Sequence, residues 1–136
     1  MKSDYEKLLK RAYSLLPLEV LAQKRFEVKK VRSGTIGMRT YIVNYKEIAE
    51  AMNRDPQHLL RYLSRELATA GTLDGARAIF QGKFRSDTLD RLLNHYSQEF
   101  VICPVCKRPD TKILKEKRFL FLACEACGAK SSIRTV

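Results

Sequence analysis

Apolar side chains recur at helical spacing near the start of the chain. Tyr5, Leu8, Leu9, Ala12, Tyr13 and Leu16 follow the i, i+3, i+4 rhythm on one face, while Lys7, Lys10 and Arg11 lie off it. Ser3 with Glu6 three positions on reads as a capping box and Pro17 as a stop, which predicts a helix from Ser3 to Leu16. A helix of about 13 residues is marginal alone in water, so this stripe needs a surface to lie on. A groove on another protein is favoured over the chain's own core, because the segment is terminal and a charged stretch, Gln23-Lys24-Arg25, follows it.

Beyond a linker at 18–25 the rhythm changes. Phe26 to Val31 roughly alternates apolar and polar, and Thr40 to Val43 is β-branched and aromatic, so both are predicted as extended chain. Ser33 to Gly37, with two glycines, reads as a flexible loop between them. Asn44 with Glu47 is read as the cap of a helix whose inner face is Ile48, Ala49 and Met52. Asp55-Pro56 opens a second helix through Leu59, Leu60, Leu63 and Leu67 to Gly71, giving a helix-turn-helix shape. Asp74-Gly75 signals a turn before a strand at Ala76 to Phe80. Ser86 is read as capping a last helix with Leu89, Leu92, Leu93 and Tyr96 inward, and Phe100 to Ile102 as a strand. Three further strands follow, at Thr111 to Lys115, Lys117 to Ala123 and Ala129 to Val136. In the middle one Phe119 and Phe121 share one face and Leu120 and Leu122 the other. So small a sheet cannot bury both, and one apolar side is expected against the central domain or a partner, the central domain being favoured. The fold class is α+β: an N-terminal docking helix (1–17), a linker (18–25), a central α-β domain (26–102) and a C-terminal ribbon (103–136).

Four cysteines change the picture of that last segment. Cys103-Pro104-Val105-Cys106 and Cys124-Glu125-Ala126-Cys127 form two C-x-x-C pairs that use every cysteine in the chain. Each pair offers two sulfurs from one turn, the pattern of a tetrahedral four-thiolate site and hence of a zinc ribbon. Iron wants the same ligands and stays open as an alternative. Disulfides are disfavoured because the chain shows no secretory signal, and the protein is expected in the cytoplasm. A redox pair is disfavoured because neither Cys103 nor Cys124 opens a helix in a βαβ setting. With all four positions filled by sulfur the metal leaves no place for water, so its role is read as structural. Residues 103–136 hold too few large apolar side chains to fold without it.

Charge adds a class of partner. The net charge is +11, from 26 basic against 15 acidic residues, with eight basic and three acidic in 103–136. Such a balance suits a polyanion, nucleic acid first. Candidate phosphate contacts are Lys107, Arg108, Lys112, Lys115, Lys117, Arg118, Lys130 and Arg134 around the cysteines, and Lys29, Lys30, Arg32 and Arg39 around the glycine loop. No phosphate-binding or nucleophile motif is present, His58 and His95 read as ordinary helix residues, and no enzyme is expected. The helix-turn-helix also admits a DNA-binding winged helix, although its second helix offers only Arg61 and Arg65 to a groove.

The order of parts resembles a known family. The terminal helix Tyr5-Glu6-Lys7-Leu8-Leu9-Lys10-Arg11, the stretch Val43 to Ala49, the run Arg54-Asp55-Pro56-Gln57-His58-Leu59-Leu60 with Glu66 to Gly71, and Ile102 to Thr111 followed by Cys124 to Gly128 are together similar to the beta subunit of archaeal translation initiation factor two. The resemblance implies a non-catalytic subunit of a heterotrimer that brings methionylated initiator tRNA to the small ribosomal subunit in a GTP-dependent manner. It also implies that the N-terminal helix docks on the gamma subunit, the GTPase, with Tyr5, Leu8, Leu9 and Tyr13 in the docking face. A structural zinc is implied as the one cofactor.

Overall fold

The computed structural model describes residues 2–17 and 27–136. The predicted linker and Phe26 lie outside the described residues. Helix α1 spans Lys2–Leu15 and contains no buried residue. Lys2 is already helical, so Ser3 sits inside the first turn rather than capping it, and Asp4 supplies the negative charge favoured at that end.

Four strands form one antiparallel sheet in the order β1-β2-β4-β3: β1 (Ser33–Ile36), β2 (Arg39–Ile42), β3 (Gly71–Asp74) and β4 (Arg77–Gln81). The segment 33–36, predicted as a loop, is thus an edge strand, with Gly34 opposite Tyr41 and Ile36 opposite Arg39. Backbone pairing holds it there; most of its side chains are exposed, so no apolar alternation marks it. Gly37, at φ 59°, supplies the positive dihedral that the two-residue turn to β2 requires. Conversely, residues 27–32 do not enter the sheet. Asp90 Oδ1 accepts from the Val31 N–H at 2.9 Å, while Asn44 accepts from the Arg32 N–H and donates to the Lys30 carbonyl, both at 2.9 Å.

That use of Asn44 explains why it does not cap helix α2 (Tyr45–Ala51) with its side chain. Asp55 does cap α3 (Pro56–Glu66), its Oδ1 accepting from the Gln57 N–H at 3.0 Å. α3 stops short of Gly71, and Ala68, at φ 51°, takes the left-handed position after it. Gly71 is needed for another reason: a Cβ there would lie 2.6 Å from the Phe80 ring and 2.7 Å from Ser64 Oγ. α4 (Ser86–Phe100) begins after Arg85 without a side-chain cap, Ser86 being its first residue. It also absorbs Phe100; Val101 and Ile102 then turn, both N–H groups bonding the Ser97 carbonyl, where a strand was predicted.

The core lies between this sheet and the three helices. Ile42, Ala78 and Phe80 point from the strands into Ile48, Met52, Leu59, Leu63, Leu89 and Leu93, all buried. Each large side chain contributes about 1.5–3 kcal/mol by leaving water. A second antiparallel sheet, β5 (Thr111–Glu116), β6 (Phe119–Cys124) and β7 (Lys130–Ile133), carries the cysteines. Leu120 opposes Ile133 and Leu122 opposes Ile113, so one face holds these apolar residues. Leu122 on that face is buried, and Ile133 packs, with Val136, against the central core, as the alternation implied. On the other face Phe119 remains 65% exposed.

Candidate metal centre and binding surfaces

Two turns with the same hydrogen bonds bring the cysteines together. In the first, the Lys107 N–H bonds the Cys103 carbonyl at 3.0 Å and the Cys103 N–H bonds the Arg108 carbonyl at 3.0 Å. In the second, Gly128 bonds Cys124 at 3.0 Å and Cys124 bonds Ala129 at 2.8 Å in the same way. Lys107 and Gly128 both take positive φ, 61° and 75°, so each C-x-x-C reverses the chain directly after its second cysteine. Backbone N–H groups then face sulfur: Val105 to Cys103 Sγ at 3.4 Å and Cys127 to Cys124 Sγ at 3.5 Å. The Glu125 N–H bonds the Asp110 carbonyl at 2.8 Å and ties the second turn to the first.

All four Sγ atoms lie within 4.8 Å of one another. The pairs Cys103–Cys127 and Cys106–Cys124 are 3.6 and 3.5 Å apart, far beyond a disulfide bond of about 2.05 Å, and all four cysteines are free. A tetrahedron with metal–sulfur bonds of about 2.3 Å has edges of about 3.8 Å; these two separations lie close to that length, and the others do not exceed 4.8 Å. Among the described residues these cysteines are the one cluster of His, Cys, Asp or Glu able to hold a metal. The backbone polarises the thiols unevenly. The N–H groups of Cys106 and Val105 draw the Cys103 thiol down to about 6, and those of Cys127 and Ala126 lower Cys124, whereas desolvation raises Cys106. Sulfur ligands bind as thiolates, so amides aimed at Cys103 and Cys124 favour the ligating form.

A residue outside the sequence-derived site joins the metal loop to the rest. Arg54, in the connection between α2 and α3, is 7% exposed. Its Nε and Nη2 donate to the Phe100 carbonyl at 3.0 and 2.8 Å, and its Nη1 and Nη2 donate to the Thr111 carbonyl and hydroxyl at 2.8 and 2.5 Å. Nothing in the sequence separates this arginine from the exposed ones except its place in a short interhelical turn.

The candidate cations divide. Arg32, Lys112, Lys130 and Arg134 face carboxylates of Glu47, Glu125, Glu116 and Glu99. Arg134 also reaches Glu66 at 3.5 Å and lies over the Tyr62 ring, so it fastens the end of the ribbon to α3 and α4. Among the described residues Lys29, Lys30, Arg39, Lys107, Arg108, Lys115, Lys117 and Arg118 form no ion pair, and all are exposed. On the ribbon they do not form one patch: Lys107 and Arg108 sit at the metal end of β5, while Lys115, Lys117 and Arg118 sit at its far end, about 17 Å along the strand. At that far end exposed Phe119 stands beside the last two.

Tyr5, Leu8, Leu9, Ala12, Tyr13 and Leu16 are all exposed in or just after α1. His58 joins an aromatic cluster, its Nδ1 2.8 Å from Tyr96 Oη and its ring centroid 5.1 Å from that of Phe100. His95 is exposed on α4. No described helix is long and apolar enough to cross a membrane.

Known proteins resemble this chain along nearly its whole length. Residues 18–130 match a family described as the domain found in initiation factors 2B and 5. A translation initiation factor 2 subunit beta of Methanopyrus kandleri is 48% identical over 131 residues, covering 96% of this chain and 95% of that protein. Proteins of the same name from Methanococcus maripaludis and Methanosphaera stadtmanae are 47% and 45% identical over 133 residues, covering 98% of this chain and 96% and 94% of theirs. The match runs through α1, the sheet-and-helix core and both cysteine turns, and at that identity the chain belongs to the translation initiation factor 2 subunit beta family.

Proposed function

We propose that this protein is the non-catalytic beta subunit of a heterotrimeric initiation factor that delivers methionylated initiator tRNA to the small ribosomal subunit. α1 docks on the gamma subunit, the GTPase, with Tyr5, Leu8, Leu9, Ala12, Tyr13 and Leu16 as its contact face. The central unit (26–102) and the ribbon (103–136) present cations to tRNA while GTP is bound and support start-codon selection. The observation that carries this reading is 48% identity to a family member over nearly the full length, joined to an amphipathic helix none of whose residues is buried. Exposed apolar stripes of this size on a helix mark protein contacts.

Cys103, Cys106, Cys124 and Cys127 hold one zinc ion. The metal supplies cross-linking free energy of about 10–16 kcal/mol to a segment with few buried apolar residues. The chain's own contribution is to hold four sulfurs at the right spacing and to aim amides at two of them.

Binding to purified gamma subunit, with and without residues 2–17, tests the docking assignment; equal affinity of the two forms overturns it. Filter binding of the assembled trimer to initiator tRNA against duplex DNA tests the partner, and preference for DNA reverses it in favour of the winged-helix alternative. Elemental analysis should return one zinc per chain, and iron in its place overturns the zinc assignment.

A further inference from the structure

We propose that Arg54 is a positioning residue of the metal centre, which closes the neck of the first cysteine turn from the connection between α2 and α3. This inference rests on the metal reading above. Cys103 and Cys106 lie on a loop that leaves the central unit at Phe100 and enters the ribbon sheet at Thr111. The Arg54 guanidinium grips both ends of that loop at once, two of its donations going to the Phe100 carbonyl and two to Thr111. Thr111 completes the closure by donating its hydroxyl to the Val101 carbonyl. Arg54 lies 57 positions from Thr111 along the chain, so the neck is closed by tertiary structure.

Three features distinguish this from an incidental buried arginine. The guanidinium is satisfied by carbonyls and a hydroxyl, with no carboxylate partner among the described residues, so its planar fork is used for spacing two chain segments. Next, the contacts feed the ligand set: Asp110, beside Thr111, accepts the Glu125 N–H and so registers the second cysteine turn against the first. Finally, the ion pairs between ribbon and central unit, Arg134 to Glu99 and Glu66, are partly exposed and weakened by solvent, whereas Arg54 is buried. Groups that orient metal ligands from outside typically change metal affinity by about 10–100-fold when removed.

The test uses the full chain with Co(II) as an optical probe, titrated against a competing chelator, while circular dichroism follows the helices. Arg54→Met is expected to weaken Co(II) binding by about 10–100-fold. Arg54→Lys should fall in the same range, because a single ammonium cannot bridge Phe100 and Thr111 together. Thr111→Val, which keeps the carbonyl but loses the hydroxyl, should lose on the order of tenfold. Arg134→Ala serves as the reference for an exposed tie and should stay within about threefold. Arg54→Met with parental Co(II) affinity overturns the inference, even if the helices melt earlier, since that result describes a core residue only. Should Arg54→Met fail to fold, Thr111→Val decides, and unchanged affinity there overturns it. A parent chain that takes up no metal sinks the metal reading itself, an outcome distinct from equal binding by parent and variant.

Discussion

α1 and α4 have nearly the same length, 14 and 15 residues, and the same helical rhythm of apolar positions, yet they end in opposite environments. α4 buries Leu89, Leu93, Tyr96, Ser97 and Phe100 against the sheet and α3. α1 buries nothing, and Leu8 on its stripe is 64% exposed. Periodicity therefore fixes which face of a helix is apolar but not what covers it. What decides is the rest of the chain: α4 follows a hairpin that offers Phe80 and Ala78, whereas Pro17 stops α1 before any such surface. The ribbon extends the lesson to a third regime, a sheet with one half-covered face held by a sulfur cluster.

The largest expected effect breaks that third regime. Chelation removes about 10 kcal/mol or more from residues 103–136, which should lose strand signal while the helical signal of α2 to α4 persists at a lowered melting temperature. Proteolysis with and without chelator checks this, and a ribbon that stays resistant without metal refutes it. Next in size is Leu93→Ala on α4. It should destabilise the protein by about 2–5 kcal/mol in urea unfolding, because a fully buried side chain is removed from a core that cannot collapse around it. Loss below about 1 kcal/mol would mean that α4 is not the structural counterpart of α1.

Gly71 and Ala68 offer a finer comparison. Gly71→Ala drives a methyl into the Phe80 ring and should cost about 1–3 kcal/mol. Ala68→Gly relieves a left-handed residue and should stabilise by up to about 1 kcal/mol. The opposite signs are the check.

The same pair shows where the sequence could be read and where it could not. A glycine after a helical run announces a left-handed cap, but here Ala68 occupies that conformation and Gly71 makes room for an aromatic ring on another strand. Likewise Asn44 stands at a cap position, yet its amide serves residues 30–32, far enough along the chain that no local rule finds it. β1 shows no apolar alternation because it is an edge strand with most side chains exposed, and 27–31 reads as a strand because Val28 and Val31 pack on the core among exposed polar residues. What was legible followed from short-range spacing: the two cysteine turns, the Asp55-Pro56 helix start, the Asp74-Gly75 hairpin and the stripes of α1 and α4. Arg54 lay beyond reach, since its partners are set by tertiary contact alone.

A smaller effect concerns pH. Burial, and then the nearby Arg54 charge, hold His58 below its ordinary pKa, with Asp55 opposing and Arg61 reinforcing the shift. The unfolded chain therefore binds a proton near pH 6.5 that the folded chain refuses, so stability falls as pH drops through that value and recovers above it. His58→Gln should flatten the difference in melting temperature between pH 7.5 and 5.5 relative to the parent. Parallel curves for parent and variant would remove His58 as the cause, and contributions common to both, including the cysteines, cancel in the comparison.

The smallest expected change in the free chain is the one that most sharpens the contrast between the helices. Leu8→Ala on α1 removes the same side chain as Leu93→Ala on α4, but from water rather than from a core. Its effect on unfolding of the free protein should lie within about 0.5 kcal/mol, the ordinary range for an exposed position. In the complex with gamma subunit the substitution should cost more than about 1 kcal/mol, because the leucine then leaves a groove rather than solvent. The ratio of the two effects measures how far burial of α1 belongs to assembly. If Leu8→Ala destabilised the free chain as Leu93→Ala does, α1 would be covered by its own protein, and the docking role would pass to another surface.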